Sequence, residues 1–191
     1  GIVSGGGSGH LPVFTGYVGK GMLDACAVGS VFASPSVDQI ASAIRNGNNG
    51  SGVLCVLGNY GGDVMNFEMA CEIVKSEGIE TKMIIVSDDI ASASNEDKLK
   101  RRGIAGLIFA FKIAGAFSEN GATLEEVYDL TLKANNNLRT IGVAVSSCIL
   151  PEVGKPTFEL KNDEIEIGMG IHGEPGIKRE KLRKADLLVD D

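Results

Sequence analysis

The sequence has 191 residues, of which 43% are hydrophobic and 23% charged, with 25 acidic against 18 basic side chains. This length suits one large or two small domains, and the apolar content excludes a disordered chain. A net charge of −7, the absence of Trp and only 5% aromatic residues argue against binding to nucleic acid or to an anionic membrane. Glycine is the exception, because its 26 residues are about twice the usual share.

The chain up to residue 139 alternates β-rich and helical segments. Apolar runs predict strands at 1–4, 31–33, 52–57 and 82–87. Helical spacing of apolar residues predicts helices at 37–45, 63–78, 104–117 and 123–135. Ser36 is a candidate N-cap after Pro35, and Thr123 forms a candidate capping box with Glu126. This alternation is typical of a largely parallel sheet flanked by helices.

After Arg139 the pattern changes to short strands. They are predicted at 141–146, 157–160 and 164–168, the last two as a hairpin. Glu164 and Glu166 alternate with isoleucines, which predicts that both glutamates lie on a solvated face. The basic stretch 178–184 is predicted to be the solvated start of a helix, because acidic residues follow it directly.

These patterns predict an α/β fold with two α/β domains. The first, residues 1–139, has a largely parallel sheet, and the second, residues 140–191, begins a domain with a mixed sheet. Because the sequence opens inside a predicted strand, we expect it to be a piece of a longer protein.

The cysteines and the apolar segments indicate the compartment. The cysteines have no metal-ligand spacing and are predicted to be buried small residues, at positions Cys26, Cys55, Cys71 and Cys148. Unpaired cysteines suit a reducing, cytoplasmic compartment. The most apolar stretch, 106–117, is too short to span a bilayer.

The only two histidines of the sequence stand in glycine-rich segments. His10 ends the run GGGSGH directly after a predicted strand, and His172 lies within GMGIHGEPG. Glycines let the backbone close around a small ligand, and histidine exchanges protons or acts as a nucleophile near neutral pH. A histidine packed in the core is the alternative, but placement in loops favours a functional interpretation.

The first glycine run also resembles a phosphate-binding turn. It matches neither the P-loop pattern nor the dinucleotide-binding pattern, so it is weak support for a nucleotide site. A tight turn that seats a hydroxyl or carbonyl group of a ligand is an equally good interpretation.

Acidic residues follow two of the predicted strands. Asp63 comes shortly after the strand at 52–57, and ligands of open parallel sheets bind beyond the carboxyl ends of the strands. Asp63 is therefore either a helix N-cap or a general base. Asp88 and Asp89 follow the strand at 82–87 without a surrounding motif, and we predict a solvated turn there.

Taken together, the motifs resemble those of the substrate-binding subunit of dihydroxyacetone kinases. The segments that carry the resemblance follow one another along nearly the whole chain: GGGSGH, GYVGKGMLDA, VFASPS, NYGGDVMNFEMA, KIAGA, GKPTFEL and IEIGMGIHGEPG. The resemblance implies a two-domain α/β subunit that binds a short ketose covalently. The chain is shorter than the subunits of this family at both ends, so the second domain is expected to be incomplete here.

The resemblance implies a role for each matching residue. His172 corresponds to the histidine whose ring nitrogen adds to the ketone carbon and forms a hemiaminal, so that glycerol, which has no carbonyl, is rejected. Asp63 corresponds to the proposed general base for the terminal hydroxyl, and His10 to the histidine that hydrogen-bonds the substrate and assists that step. Gly7 and Ser34 correspond to loop positions that line the same pocket.

The resemblance also implies that the phosphoryl donor lies on another chain or domain. A helical kinase subunit would hold ADP or ATP with magnesium, and a phosphotransferase-system phosphocarrier would recharge the ADP. No cofactor or metal is expected on this chain. The implied protein is a cytoplasmic homodimer with no nucleic-acid or membrane partner.

Two positions depart from the usual family pattern. Leu11 stands where many members have glutamate, and Gly58 stands where lysine is frequent. Both positions are near the expected pocket, so the departures leave open which ketose is bound and whether the subunit is competent as a kinase. The alternatives are a coactivator of a transcription regulator that binds dihydroxyacetone without phosphorylating it, and a kinase subunit for a four-carbon ketose. A nucleotide-binding protein that uses only the glycine run is a third alternative.

Overall fold

The computed structural model describes residues 1–149 and 153–190. Its larger sheet contains four parallel strands in the order β2-β1-β3-β4. These strands are β1 (Ile2–Gly7), β2 (Ala25–Gly29), β3 (Val53–Gly58) and β4 (Thr81–Val86). The predicted parallel sheet is therefore confirmed, but the second strand precedes the predicted segment 31–33. That segment instead turns over the end of β1, where the Gly9 amide donates to the Val31 carbonyl at 2.5 Å.

Helices cover both faces of this sheet. They are α1 (Val37–Gly47), α2 (Gly61–Ser76), α3 (Gly106–Glu119) and α4 (Leu124–Asn135). Alternate residues of β3 face opposite layers: Cys55 packs with α1 and α2, and Val56 packs with α3 and α4. All six residues of β3 are buried, which explains the continuous apolar run in its sequence.

Both predicted capping boxes form. The side chain of Ser36 accepts a hydrogen bond from the Gln39 amide, and that of Thr123 accepts one from the Glu126 amide, each at 3.3 Å. The Gln39 and Glu126 side chains accept in return from the amides of the two capping residues. These caps satisfy amides that would otherwise lack partners, so α1 and α4 begin where the sequence predicts.

The smaller sheet is antiparallel, in the order β5-β6-β7. Its strands are β5 (Val143–Ala144), β6 (Glu164–Ile167) and β7 (Lys178–Lys181), and the short helix α5 (Ala185–Val189) follows. The predicted boundary at residue 139 lies between α4 and β5, and the division into two domains stays a prediction.

The predicted hairpin between 157–160 and 164–168 is wrong, because β6 pairs with β7 instead. The prediction of a helix start at 178–184 is wrong for the same reason. Arg179 lies directly opposite Glu166 and donates to its carboxylate at 2.9 Å. Glu166 is buried rather than solvated, and its charge is compensated by Arg179. Opposite charges on neighbouring strands stabilise the pairing of the strands.

The pair of aspartates after β4 is fully buried, so the predicted solvated turn is wrong. Asp88 accepts hydrogen bonds from the amides of Ile104 and Gly106, both at 2.9 Å, and from the hydroxyl of Thr140. The first amides of a helix have no partner within the helix, and the Asp88 carboxylate satisfies two amides where α3 begins. The backbone of Asp88 also accepts from the Thr140 amide at 2.9 Å.

Replacing Asp88 by alanine is expected to lower the free energy of unfolding by about 2–4 kcal/mol, because two buried amides and a hydroxyl lose their acceptor. Urea unfolding of Asp88→Ala measures this change. Asp129→Ala removes an exposed carboxylate from α4 and is expected to change stability by no more than about 0.5 kcal/mol. Equal unfolding curves for the two variants would contradict the structural role of Asp88.

The cysteines divide between buried and exposed positions. Cys55 and Cys71 are buried, as predicted, whereas Cys26 is half-buried and Cys148 is exposed. The prediction of a buried residue is therefore wrong for Cys148. Among the helices of the described residues, none combines the length and hydropathy that crossing a membrane requires.

Candidate functional site

The site lies beyond the carboxyl ends of β1 and β3, the two central strands. His10 ends a short 3-10 turn, Ser8–His10, that directly follows β1. Asp63 lies in the first turn of α2, which follows β3. β1 pairs with β2 on one side and β3 on the other, so the chain moves from this point to both edges of the sheet. Such a reversal of strand order opens a crevice in which ligands of α/β proteins bind.

His172 reaches this crevice from the connection between β6 and β7. Gly168 and Gly173 have φ values of +82° and +85° in this connection, a conformation that favours glycine. Nε2 of His172 lies 3.0 Å from Nε2 of His10, although the two residues are 162 positions apart. The structure therefore brings together the two histidines that the sequence singled out.

Aromatic rings surround the His172 imidazole. The ring of Tyr60 contacts it edge-on, with centroids 4.7 Å apart and planes at 81°. Phe32 approaches His172 edge-on at 6.0 Å and contacts His10 at 4.8 Å. These contacts pack aromatic rings against both imidazoles of the site.

Glu174 fixes the proton on the His172 ring. Its Oε1 lies 3.2 Å from Nδ1 of His172, and its Oε2 accepts from the His172 backbone amide at 2.9 Å. Burial, the largest influence, raises the pKa of Glu174, but hydrogen bonds from its own amide and from His172 outweigh this effect. The net pKa of Glu174 is below its ordinary value, so the carboxylate is ionised and accepts a hydrogen bond from Nδ1–H of His172.

This assignment determines which nitrogen of His172 can react. With the proton on Nδ1, Nε2 of His172 carries the free lone pair and accepts, and Nε2 of His10 donates across the 3.0 Å contact. Burial and the adjacent His172 ring lower the pKa of His10. His10 therefore stays neutral to lower pH than an exposed histidine, and Nε2 of His172 is the ring nitrogen that keeps a free lone pair in the crevice.

Asp63 does not act as the helix cap. The N-cap residue of α2 is Tyr60, and no side chain makes a capping hydrogen bond at this end. Oδ1 of Asp63 is buried without a hydrogen-bond partner within the described ranges. Burial raises the pKa of Asp63, and the Ser34 hydroxyl and the His172 ring oppose this increase. A carboxylate with a raised pKa is a stronger base, which suits proton abstraction.

The remaining residues that the sequence singled out lie around the same crevice. Asn66, one turn after Asp63, donates to the Ser34 hydroxyl at 3.3 Å and to the Pro35 carbonyl at 2.9 Å, and so holds the Ser34 loop against α2. Gly7 ends β1, where a Cβ atom would lie 2.6 Å from the Val31 carbonyl oxygen. Glycine at this position therefore lets the two backbones approach closely.

The two positions that depart from the family pattern also lie near His10. Leu11 follows it and is 44% exposed. Gly58 lines an apolar cavity of about 240 Å³ that adjoins His10. The other residues lining this cavity are Val13, Phe14, Tyr60, Ile104, Ala105, Leu107, Ile108 and Ile171.

Sequence reasoning missed two residues that contact His172. Glu174 stands two positions after His172 in the same GIHGEPG segment, and an acceptor this close to a candidate histidine was a usable signal. Tyr60 lies between Gly58 and Asp63 in the NYGGD segment, where an aromatic residue gives no signal of its own. Within the part of the chain that the structure describes, no group of three or more His, Cys, Asp or Glu residues could hold a metal ion.

Comparison with known proteins identifies relatives over the whole chain. The family described as the Dak1 domain matches residues 1–191. A relative from Listeria innocua, named PTS-dependent dihydroxyacetone kinase 1, dihydroxyacetone-binding subunit, is 52% identical over 99% of this chain and 57% of its own length. The chain thus spans little more than half of this relative.

Two solved structures are similar in fold. The native dihydroxyacetone kinase of C. freundii has a TM-score of 0.89 and 42% identity, covering 99% of this chain and 35% of that one. A dihydroxyacetone kinase operon co-activator has a TM-score of 0.88 and 38% identity, covering 99% of this chain and 58% of that one. The fold therefore occurs in a kinase and in a co-activator.

Proposed function

The chain belongs to the Dak1 domain family, and from this premise we propose that it is the ketose-binding part of a dihydroxyacetone kinase. It holds dihydroxyacetone as a hemiaminal on His172 and presents a terminal hydroxyl to a nucleotide-bearing partner. One observation carries the proposal: Nδ1 of His172 is engaged by Glu174, while its Nε2 is directed at His10 in the crevice. A nucleophilic nitrogen with a fixed tautomer suits addition to a carbonyl carbon.

The hemiaminal forms with one proton exchanged. The lone pair on Nε2 of His172 forms the bond to the carbonyl carbon, and the π pair of the C=O bond moves to the oxygen. Nδ1 loses its proton through Glu174, which is partly exposed and exchanges with water, while the new oxyanion takes up a proton. The adduct is neutral overall, and glycerol cannot form it because glycerol has no electrophilic carbon.

A bound ketose would replace the contact between the two histidines. A carbon atom attached to Nε2 of His172 cannot share the 3.0 Å gap with Nε2 of His10, so the His10 ring moves aside when the adduct forms. Its N–H then donates to the substrate oxygen instead of to His172. The low pKa of His10 favours this neutral donor form.

Asp63 is the general base for phosphoryl transfer in this proposal. It takes the proton of the terminal hydroxyl as the hydroxyl oxygen forms a bond to phosphorus. The bond from phosphorus to the nucleotide breaks, and its electron pair leaves with the nucleotide. The raised pKa of Asp63 and its unpartnered Oδ1 support this role.

The nucleotide, with its magnesium, belongs to a helical partner subunit in this proposal. The name of the Listeria relative includes dependence on the phosphotransferase system, which favours a phosphocarrier as the source of the phosphoryl group. The proposal also includes a cytoplasmic homodimer.

Crystals soaked with ketose and an assay with the partner test the proposal. Dihydroxyacetone is expected to give continuous density from Nε2 of His172 to a tetrahedral carbon, and glycerol is expected to give none. With the nucleotide-bearing subunit and its donor, the protein is expected to transfer phosphate to dihydroxyacetone. Erythrulose, a four-carbon ketose, serves as the comparison substrate, and faster transfer to it would assign that ketose instead.

A non-catalytic co-activator is the second candidate, because one structural relative with 38% identity has that name. The exposed Leu11 and the side-chain-free Gly58 lie next to His10 and are the residues that favour it. Adduct formation without phosphate transfer to any ketose, across the available partner subunits, would support the co-activator and exclude the kinase.

A further inference from the structure

Arg102 connects the larger sheet to the loop that carries His172. It stands shortly after the 3-10 turn Lys98–Lys100, and only 14% of its side chain is exposed. None of the motifs that indicate the function includes Arg102 or its partner Asp89. A nearly buried guanidinium is costly unless several acceptors compensate it, so its contacts indicate what it holds in place.

One side of the guanidinium binds the larger sheet. Nε and Nη2 of Arg102 lie 2.8 and 2.7 Å from Oδ2 of Asp89, whose side chain is fully buried beyond β4. Oδ1 of Asp89 accepts from the Ala91 amide at 3.1 Å, which fixes the carboxylate. The Arg102 amide donates to the Ser92 hydroxyl at 3.0 Å, so its backbone is fixed as well.

The other side faces the His172 loop. Nη2 of Arg102 donates to the Gly168 carbonyl at 2.9 Å, and Nη1 lies 3.9 Å from Oε2 of Glu174. A Cβ atom on Gly170 would collide with both Oε2 of Glu174 and Nη1 of Arg102. Glycine at position 170 therefore leaves the space in which the guanidinium approaches the carboxylate.

We propose that Arg102 is a positioning residue for covalent ketose binding, acting on His172 through Glu174 and the Gly168 carbonyl. This inference rests on the proposed function. Arg102 anchors the start of the loop at Gly168 and orients the carboxylate that holds the His172 tautomer. A loop rich in glycine has many conformations without such an anchor, and a displacement of 1 Å costs about 100-fold in rate.

The positive charge of Arg102 also lies near the carboxylate that engages the His172 ring, because Nη1 of Arg102 is 3.9 Å from Oε2 of Glu174. The other titratable groups facing the ring are Glu174 from its own loop, His10 after β1, Asp63 from α2 and Tyr60 before α2. Removing the positive charge of Arg102 favours protonation of the neighbouring imidazole, and an imidazolium has no free lone pair. Loss of Arg102 is therefore expected to move the acid limb of adduct formation to higher pH.

The test compares Arg102→Gln, Arg102→Lys and the surface control Arg139→Gln in the intact protein. Dihydroxyacetone labelled with ¹³C at the carbonyl carbon reports adduct formation by NMR from pH 5 to 8. We expect the adduct to form about 100-fold more slowly in Arg102→Gln, with its midpoint at higher pH. Arg102→Lys keeps the charge but not the forked geometry, so its midpoint should stay near that of the wild type while its rate falls. Arg139→Gln should match the wild type, because Arg139 is exposed and donates to the nearby carbonyls of Asn136 and Leu138.

Wild-type rate and midpoint in Arg102→Gln would overturn the proposal. If Arg102→Gln does not unfold cooperatively, Arg102→Lys decides, and a wild-type rate there would overturn it equally. If the wild type forms no adduct, the proposed function fails separately. The NMR titration of the His172 ring without ketose then decides on Arg102: a higher pKa in Arg102→Gln supports the coupling, and an unchanged pKa refutes it.

Discussion

His172→Ala is expected to abolish the covalent adduct and to weaken dihydroxyacetone binding about 100-fold or more, equivalent to about 2.8 kcal/mol. The reason is that the proposed mechanism uses Nε2 of His172 as the nucleophile that bonds to the carbonyl carbon. The preference for dihydroxyacetone over glycerol should largely disappear in His172→Ala, because the remaining hydrogen bonds recognise hydroxyl groups that both compounds carry. Isothermal titration with each compound measures both effects.

His10→Ala is the matched control for this prediction. It removes the neighbouring imidazole but leaves the nucleophile, so the preference for dihydroxyacetone over glycerol should persist even if affinity falls. The wild-type adduct should also form more slowly at acid pH, where a protonated His172 cannot attack. Unchanged affinity and selectivity in His172→Ala would refute covalent binding at this residue.

Asp63→Asn is expected to lower the rate of phosphoryl transfer by about 10²- to 10⁴-fold while leaving the adduct intact. Proton abstraction and ketose binding use different residues in the proposed mechanism, so the loss should appear in kcat and not in the occupancy of the adduct. Steady-state assays with the partner subunit and adduct measurement by NMR separate the two. Asp38→Asn is the matched control, because Asp38 also lies in the first turn of a helix but is exposed.

The same substitution is expected to stabilise the folded protein at neutral pH. Burial raises the pKa of Asp63, so the folded state holds this proton more tightly than the unfolded state. The protonated side chain of Asp63 therefore favours folding at low pH, and this contribution is lost as the pH rises through the raised pKa. We expect Asp63→Asn to raise the Tm by about 2–4 °C at pH 7, where a lower Tm would contradict the burial argument.

The strand and helix pattern of the first 139 residues was largely predictable, because it depends on local chemistry. β3 is a continuous apolar run, and the hydroxyl groups of Ser36 and Thr123 mark the starts of α1 and α4 because they cap these helices. The second strand was missed because Ala25–Gly29 is short and only half-buried, so its apolar signal is weak. The hairpin was misassigned because the charged segment Lys178–Lys181 has the composition of a solvated segment. Its pairing with β6 depends on Glu166 lying opposite Arg179, which the sequence does not show.

The sequence by itself determined the candidates for chemistry, since His10 and His172 are its only histidines and glycines surround both. Their roles and that of Asp63 stay predictions. Only the tertiary structure decided that the two imidazoles meet, that Glu174 engages Nδ1 of His172, and that Asp89 is buried against Arg102. The physical reason is that hydrogen bonds and ion pairs depend on distance in space, whereas the period and composition of a sequence report only its neighbours along the chain.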